Sequence, residues 1–265
     1  MKIARFIVDG FACYGQVEEA EVRAIQGSIF GDYRVTGLTF PLSRVKLLPP
    51  TQPVNFWNIG LNYQHHLESR VEEYGEGLRE RIKHLNPFLK GSGSSIVATG
   101  EAIVIPPGLP DFIDYEGELC IVIGRPAHRV SPEDAPDYIL GYTIADDVGA
   151  GPVWFHGDFT NWRTKTSDSF APVGPWIETE MDPHNVDIIV RVNGHEEQRG
   201  TTRDMVRNCY EIVSGISRYC TLHPGDIIST GSPSPSRPLK PGEVVEVEIP
   251  EIGVLRNPIV SAPAS

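Results

Sequence analysis

The stretch that most restricts how this chain can fold runs from Asp114 to Gly124, Asp-Tyr-Glu-Gly-Glu-Leu-Cys-Ile-Val-Ile-Gly. Its second half, Leu119 to Ile123, is an unbroken apolar run closed by Gly124, the pattern of a buried strand. Its first half carries Glu116 and Glu118. Strand side chains alternate faces, so these two carboxylates point the same way, with Cα atoms roughly 6.5 Å apart. Two glutamates leading straight into a buried run need a compensating partner, and one cation between them would serve. On this stretch alone, a solvated strand end explains the pair equally well.

Length and charge narrow the possibilities. The 265 residues suffice for one large domain, or a main domain with a small appendage. A formal net charge of -12 argues against nucleic acid or an anionic membrane as partner. It leaves a small anionic substrate open, because one local lysine can bind an anion inside an acidic protein. No apolar run is long enough to span a bilayer, and the start Met1-Lys2-Ile3-Ala4-Arg5 lacks signal-peptide character. Cys13, Cys120, Cys209 and Cys220 are scattered with no CxxC pair, which predicts reduced core thiols in a cytoplasmic protein.

Residues 1–52 read as a small β-rich unit, with strands at Ile3 to Val8, Glu21 to Ile25 and Val45 to Leu48. Residues 53–265 form the main domain. From His66 to His84, apolar residues at steps of three and four predict an amphipathic helix weakened by Gly75 and Gly77, a candidate lid. Gly91 to Ser95 is a polar loop without the GK[ST] of a phosphate-binding loop. Ser131-Pro132-Glu133-Asp134 has the caps of a helix start. Gly141 to Val148 predicts a second strand ending in the paired acids Asp146 and Asp147. An aromatic stretch, Trp154 to Trp162, leads to Arg163 and Lys165. Asn193-Gly194 between Asp187–Val192 and His195–Arg199 predicts a tight hairpin, and Asp204 to Tyr219 predicts a helix. Strands dominate, so the fold class is α+β, mostly β.

Glu116, Glu118 and one aspartate of the second strand make a three-carboxylate set. Oxygen-only ligands suit a hard cation, Mg²⁺ or Mn²⁺ rather than Zn²⁺, and leave room for water and a chelating substrate. Spacing does not choose between Asp146 and Asp147.

The ordered motifs Asn62-Tyr63-x-x-His66, Asp114-Tyr115-Glu116-x-Glu118-Leu119, Gly141-Tyr142-Thr143 leading to Asp147, and the run from Lys165 through Asp168, Phe170 and Pro172 to Gly174-Pro175-Trp176 resemble the fumarylacetoacetate hydrolase family. The likeness continues through Val192-Asn193-Gly194 with Gln198, Pro224 to Pro233, and Leu239 to Glu243. It spans roughly Phe56 to Val260 in one collinear order. The resemblance implies a mixed β-sandwich roll, a homodimer, and a Mg²⁺ or Mn²⁺ site with Asp147 as third ligand. It also implies that Lys165 contacts substrate, that His66 is a lid base acting on water, and that Ser232 and Gln198 line the substrate site. Read from the residues alone, Lys165 and His66 are ordinary surface side chains.

Two departures bear on the chemistry. Gly151-Pro152 and Trp154 stand where the family places arginine and glutamine donors of an oxyanion hole, and one lost donor typically costs ~10²–10³ in rate. Arg163 is the nearby substitute, and Trp154 predicts a more apolar pocket. Glu68 falls one residue earlier than the family's lid glutamate, with Ser69 in its place; i and i+2 do not share a helix face. The leading expectation is a metal-dependent hydrolase cleaving a C–C bond in a small 2-oxo or 1,3-dioxo carboxylate through an enolate, with His66, Lys165 and Glu68 as its catalytic set. The alternatives are an isomerase, decarboxylase, dehydratase or cyclising lyase that omits water attack, and a non-catalytic metal-stabilised binding protein.

Overall fold

The computed structural model describes residues 1–81, 83–108, 113–150 and 162–263. Its strands are β1 (Lys2–Val8), β2 (Phe11–Glu18), β3 (Glu21–Gly27), β4 (Tyr33–Pro41), β5 (Lys46–Leu48), β6 (Phe56–Ile59), β7 (Pro87–Lys90), β8 (Ile96–Val97), β9 (Ile103–Ile105), β10 (Gly117–Ile123), β11 (Ile139–Asp146), β12 (Ala171–Glu178), β13 (Asp187–Val192), β14 (His195–Thr201), β15 (Ile227–Ser229), β16 (Val244–Ile249) and β17 (Gly253–Ser261). The large sheet runs β4-β3-β2-β1-β12-β11-β10-β15-β6-β7, with β5 on β1 and β8 on β12; the small one runs β14-β13-β16-β17-β9. The α+β, mostly β expectation holds. No helix among the described residues is long and apolar enough to cross a membrane.

All seven residues of β10 are buried, which is why its sequence shows no polar alternation. Leu119, Ile121 and Ile123 pack inward with Ile144 of β11, Val190 and Val192 of β13, and Val245 and Val247 of β16. Gly117 belongs to this inner face: a Cβ there would lie 2.6 Å from Val190 Cγ2 and 2.8 Å from Val247 Cγ1. The two sheets touch over a bare backbone. The opposite face of β10 carries Glu118 and Cys120, the latter in a second cluster with Phe56, Ala145, Val173 and Ile227.

β1 joins the large sheet through Lys2 opposite Glu178 and Ile3 opposite Ile177 of β12. The N-terminal strands therefore extend the sheet that holds the carboxylates. β2 and β4 are strands that sequence periodicity did not predict; each is largely half-buried or exposed, so no apolar face marks it.

The helix predicted from His66 to His84 is two helices, α1 (Gln64–Tyr74) and α2 (Gly77–Arg81). Gly75 ends the first in the left-handed region, φ 87°, its N–H bonded to Val71 O at 2.7 Å. After Ser131, whose Oγ accepts from Asp134 N at 3.2 Å, the chain makes only a 3₁₀ turn, Ala135–Tyr138. Pro136 has no N–H to continue it. α3 is the single turn Trp162–Lys165. The helix predicted over 204–219 begins later, as α4 (Cys209–Ser217), because Asn208 and Glu211 form a capping box there. The predicted hairpin is present, with Asn193 at φ 52° and Gly194 at φ 81°.

Candidate metal centre and active site

Strand register builds the acidic group. Gly117 lies opposite Asp146 across β10 and β11. The ladder continues one step beyond: Asp147 N donates to Glu116 O at 2.8 Å, and Asp114 and Gly149 exchange both hydrogen bonds. Opposed residues share a face. Asp147 therefore sits on the side of Glu116 and Glu118, whereas Asp146 sits on the side of Gly117. Carboxylate oxygens of Glu116, Glu118 and Asp147 lie within 4.8 Å of one another. Asp146 is buried away from them; its Oδ1 accepts from Glu116 N at 2.8 Å, and burial pushes its carboxyl up to about 7 despite that bond.

Two lysines face the group. Lys165 Nζ lies 2.7 Å from Glu116 Oε2, 2.9 Å from Asp147 Oδ2 and 3.0 Å from Asp147 O. A Cβ on Gly149 would come 3.0 Å from that Nζ, so glycine keeps the lysine's path open. Lys90, from the end of β7, donates to Asp147 Oδ1 and, at 2.7 Å, to Val148 O. Sequence reading missed Lys90, because nothing in Phe88-Leu89-Lys90 separates it from a surface lysine until β7 is placed beside β6. Burial alone would raise Asp147, but Lys165 and Lys90 hold it at about 2. Lys165 itself is held well above its ordinary value: burial opposes its charge, and Asp147 and Glu116 outweigh that. For Lys90 burial wins, and its value is lowered.

Glu118 tests whether these residues suit a cation. Ser229 Oγ donates to its Oε2 at 2.5 Å and Gly231 N at 2.7 Å; among the described residues no ammonium does. Burial, then Asp147 and Glu116, push its carboxyl well above the usual carboxylate range. A divalent ion would supply the positive charge Glu118 lacks, and an all-oxygen set suits Mg²⁺ or Mn²⁺. The residues fit such an ion.

His66 is buried in the first turns of α1. Its Nδ1 lies 3.2 Å from Ser232 O. A carbonyl only accepts, so Nδ1 carries the hydrogen and Nε2 keeps its lone pair. Burial lowers the ring below its ordinary value, against the opposing pull of Glu116 and the Ser232 carbonyl. The lowering favours the neutral imidazole.

The remaining sequence candidates lie at different distances from this centre. Ser232 is buried, its Oγ donating to Ser234 O at 3.2 Å. Gln198 Nε2 donates to Ser234 O at 3.1 Å and Pro235 O at 2.6 Å, so it holds the loop that in turn holds His66. Glu68 is exposed and accepts from Gln64 Nε2 at 2.6 Å; the structure does not bring it to His66. Ser69 Oγ donates to the His66 backbone carbonyl at 2.8 Å and not to the ring. Arg163 is exposed with its guanidinium 5.6 Å from the Trp162 ring. It precedes Lys165 by two in α3, so the two side chains leave opposite sides of that turn. Trp154, with Gly151 and Pro152, lies outside the described residues.

Residues 55–260 match the fumarylacetoacetate (FAA) hydrolase C-terminal family, and residues 1–50 match Rv2993c-like, N-terminal. An uncharacterised protein of Archaeoglobus fulgidus is 38% identical over 97% of this chain and 96% of its own. Oxaloacetate tautomerase fahd2, mitochondrial, of Xenopus laevis is 37% identical over 82% of this chain and 69% of its own. The crystal structure of 2-hydroxyhepta-2,4-diene-1,7-dioate isomerase from Mycobacterium marinum superposes with a TM-score of 0.88 at 34% identity, covering 100% of both chains. Maleylpyruvate hydrolase from Sphingobium sp. SYK-6, solved with manganese(II) and pyruvate, gives 0.79 at 25% identity, covering 99% of this chain and 100% of its own. The carboxylate triad thus sits within a match that spans most of the sequence, and the chain belongs to the fumarylacetoacetate hydrolase family.

Proposed function

We propose that this chain is a divalent-metal-dependent enzyme that moves a proton at carbon in a small 2-oxo carboxylate, a keto–enol isomerase or tautomerase. The setting of His66 carries the reading. A neutral imidazole with Nδ1–H committed to Ser232 O offers Nε2 as a proton acceptor, and no carboxylate among the described residues holds Nδ1. Enolisation asks for such a base and for positive charge near the carbonyl oxygen. Hydrolytic C–C cleavage also asks for donors where a tetrahedral oxyanion develops. Among the described residues, Glu68 turns to Gln64 rather than to His66.

In this reading Glu116, Glu118 and Asp147 hold Mg²⁺ or Mn²⁺, which when bound supplies Lewis-acid stabilisation of enolate charge. Lys165 exchanges one of its carboxylate contacts for the substrate's carbonyl oxygen. The Ser232 hydroxyl orients the substrate carboxylate, and His66 Nε2 takes a proton from the carbon beside the carbonyl and returns it to the enolate oxygen, or, in a conjugated dienolate, to its far carbon. Two relatives named as an isomerase and a tautomerase support this reading.

C–C hydrolysis of an acylpyruvate is the second reading, favoured by the relative named maleylpyruvate hydrolase. The deciding experiment incubates Mn²⁺-loaded protein in D₂O with oxaloacetate, an acylpyruvate and a 2-hydroxydienoate, followed by NMR. Deuterium uptake beside the carbonyl without fragmentation, abolished in His66→Gln, is expected. Pyruvate released in step with a carboxylic acid would overturn isomerisation in favour of hydrolysis.

A further inference from the structure

Asp147 has two carboxylate oxygens, and two lysines divide them. Lys90 donates to Oδ1 and to Val148 O at 2.7 Å, whereas Lys165 lies 2.9 Å from Oδ2 and 2.7 Å from Glu116 Oε2. The two side chains are not equivalent. Lys90 is 1% exposed and leaves a strand whose register fixes it opposite Phe56; Lys165 is 18% exposed and ends a single helical turn. Glu118 repeats the arrangement with neutral donors, since Ser229 and Gly231 both engage its Oε2.

We infer that Lys90 is a positioning residue that fixes Asp147 as a one-oxygen ligand and thereby makes the centre discriminate against calcium. The inference rests on the metal reading of the triad. For Asp147 to bind an ion through both oxygens, Oδ1 must either leave Lys90 or carry the ammonium and the ion together. The first leaves a buried ammonium with one backbone carbonyl among the described residues, and the second crowds two positive charges on one buried oxygen, and both are penalised. Mg²⁺ and Mn²⁺ accept single oxygens in octahedral geometry, whereas Ca²⁺ takes six to eight and often uses a carboxylate bidentately. Because Lys90 and the Ser229–Gly231 pair each hold one oxygen back, two of the three carboxylates present a single atom. The small ion is satisfied and the large one is left short of ligands.

The test titrates metal-free wild type, Lys90→Met and Lys90→Arg with Mn²⁺ and with Ca²⁺ by calorimetry. Removing a nearby ammonium strengthens binding of either ion by simple charge. The denticity effect is the additional gain for calcium, on the order of 10-fold more than for manganese in Lys90→Met. Lys90→Arg, which keeps the charge and a donor for Oδ1, is expected to retain the wild-type ratio. Equal gains for both ions in Lys90→Met would overturn the inference while leaving the metal reading intact. Wild type that binds neither ion would overturn the metal reading itself. A measurement on wild type keeps the inference testable if the variants misfold: metal-loaded minus metal-free infrared spectra with ¹³C-labelled aspartate. The wide carboxylate splitting of one-oxygen ligation is expected with Mn²⁺, and the narrow splitting of bidentate ligation would overturn it.

Discussion

Asp146 and Asp147 are neighbours, chemically identical and both buried, yet they face opposite sides of one sheet. The consequence is a sharp difference between two conservative substitutions. Asp147→Asn is expected to weaken Mn²⁺ binding by at least ~100-fold, because it removes a charged ligand. Asp146→Asn keeps an oxygen for the Glu116 N–H and is expected to stay within roughly the lower end of outer-contact effects, ~10-fold. Equal losses in a fluorescence-quenching titration would contradict the register-based assignment. His66 gives a pH prediction. Its folded value lies below the unfolded value of 6.5. The unfolded chain therefore takes up the proton first, so the stability tied to neutral His66 is complete above 6.5 and is lost as pH falls through the folded value. Urea midpoints between pH 7.5 and 5 are expected to fall less steeply in His66→Asn than in wild type. The acid limb of kcat/KM is expected below the ordinary histidine range for the same reason. Glu116 and Glu118 were legible as a pair from strand period alone. Spacing left Asp146 and Asp147 undivided and only the family resemblance implied Asp147; register puts Asp147 on the face of the two glutamates, and Lys90 needed the burial of a sheet edge.

At the scale of elements, β10 does two jobs with its two faces. Its even positions carry Glu118 and Cys120, in line with Glu116 just before the strand, and its odd positions carry the core contacts that begin at Gly117. Gly117→Ala places a Cβ 2.6 Å from Val190, a small overpacking expected to destabilise by about 1–3 kcal/mol. A fall in thermal midpoint of roughly 2–12 °C would follow for a chain of this size, read by differential scanning calorimetry. An unchanged midpoint would mean the sheets separate more easily than the packing suggests. Strand β10 and the Asn193-Gly194 hairpin were readable because burial and turn chemistry are local. The helix of residues 66–84 was overextended because apolar periodicity runs through Gly75, while the chain's left-handed turn there does not. The start of α4 was placed early for a related reason: apolar spacing outweighed the start signal of the Asn208–Glu211 capping box.

At the scale of the whole molecule, the centre draws on residues from α1, β7, β10, the end of β11 and α3, so a bound ion ties together segments distant in sequence. An ion that binds only the assembled site stabilises by about 2.7 kcal/mol at a hundredfold excess over Kd. Chelation is therefore expected to lower the thermal midpoint by roughly 5–11 °C, and Glu118→Gln to abolish that dependence. A chelator-insensitive wild type would count against a bound ion. One further property follows from where α1 and α2 lie in the chain. They are an excursion between β6 and β7, whose ladder closes beneath them from Ile59 opposite Pro87 to Phe56 opposite Lys90. Leu67 and Val71 pack with Leu61 and Leu78 in a cluster apart from the main core. His66 therefore rides on the excursion, whereas Lys90 sits on the ladder at its root and stays with Asp147 whatever the excursion does. Displacing the excursion would thus remove the base without dismantling the floor that carries the carboxylates.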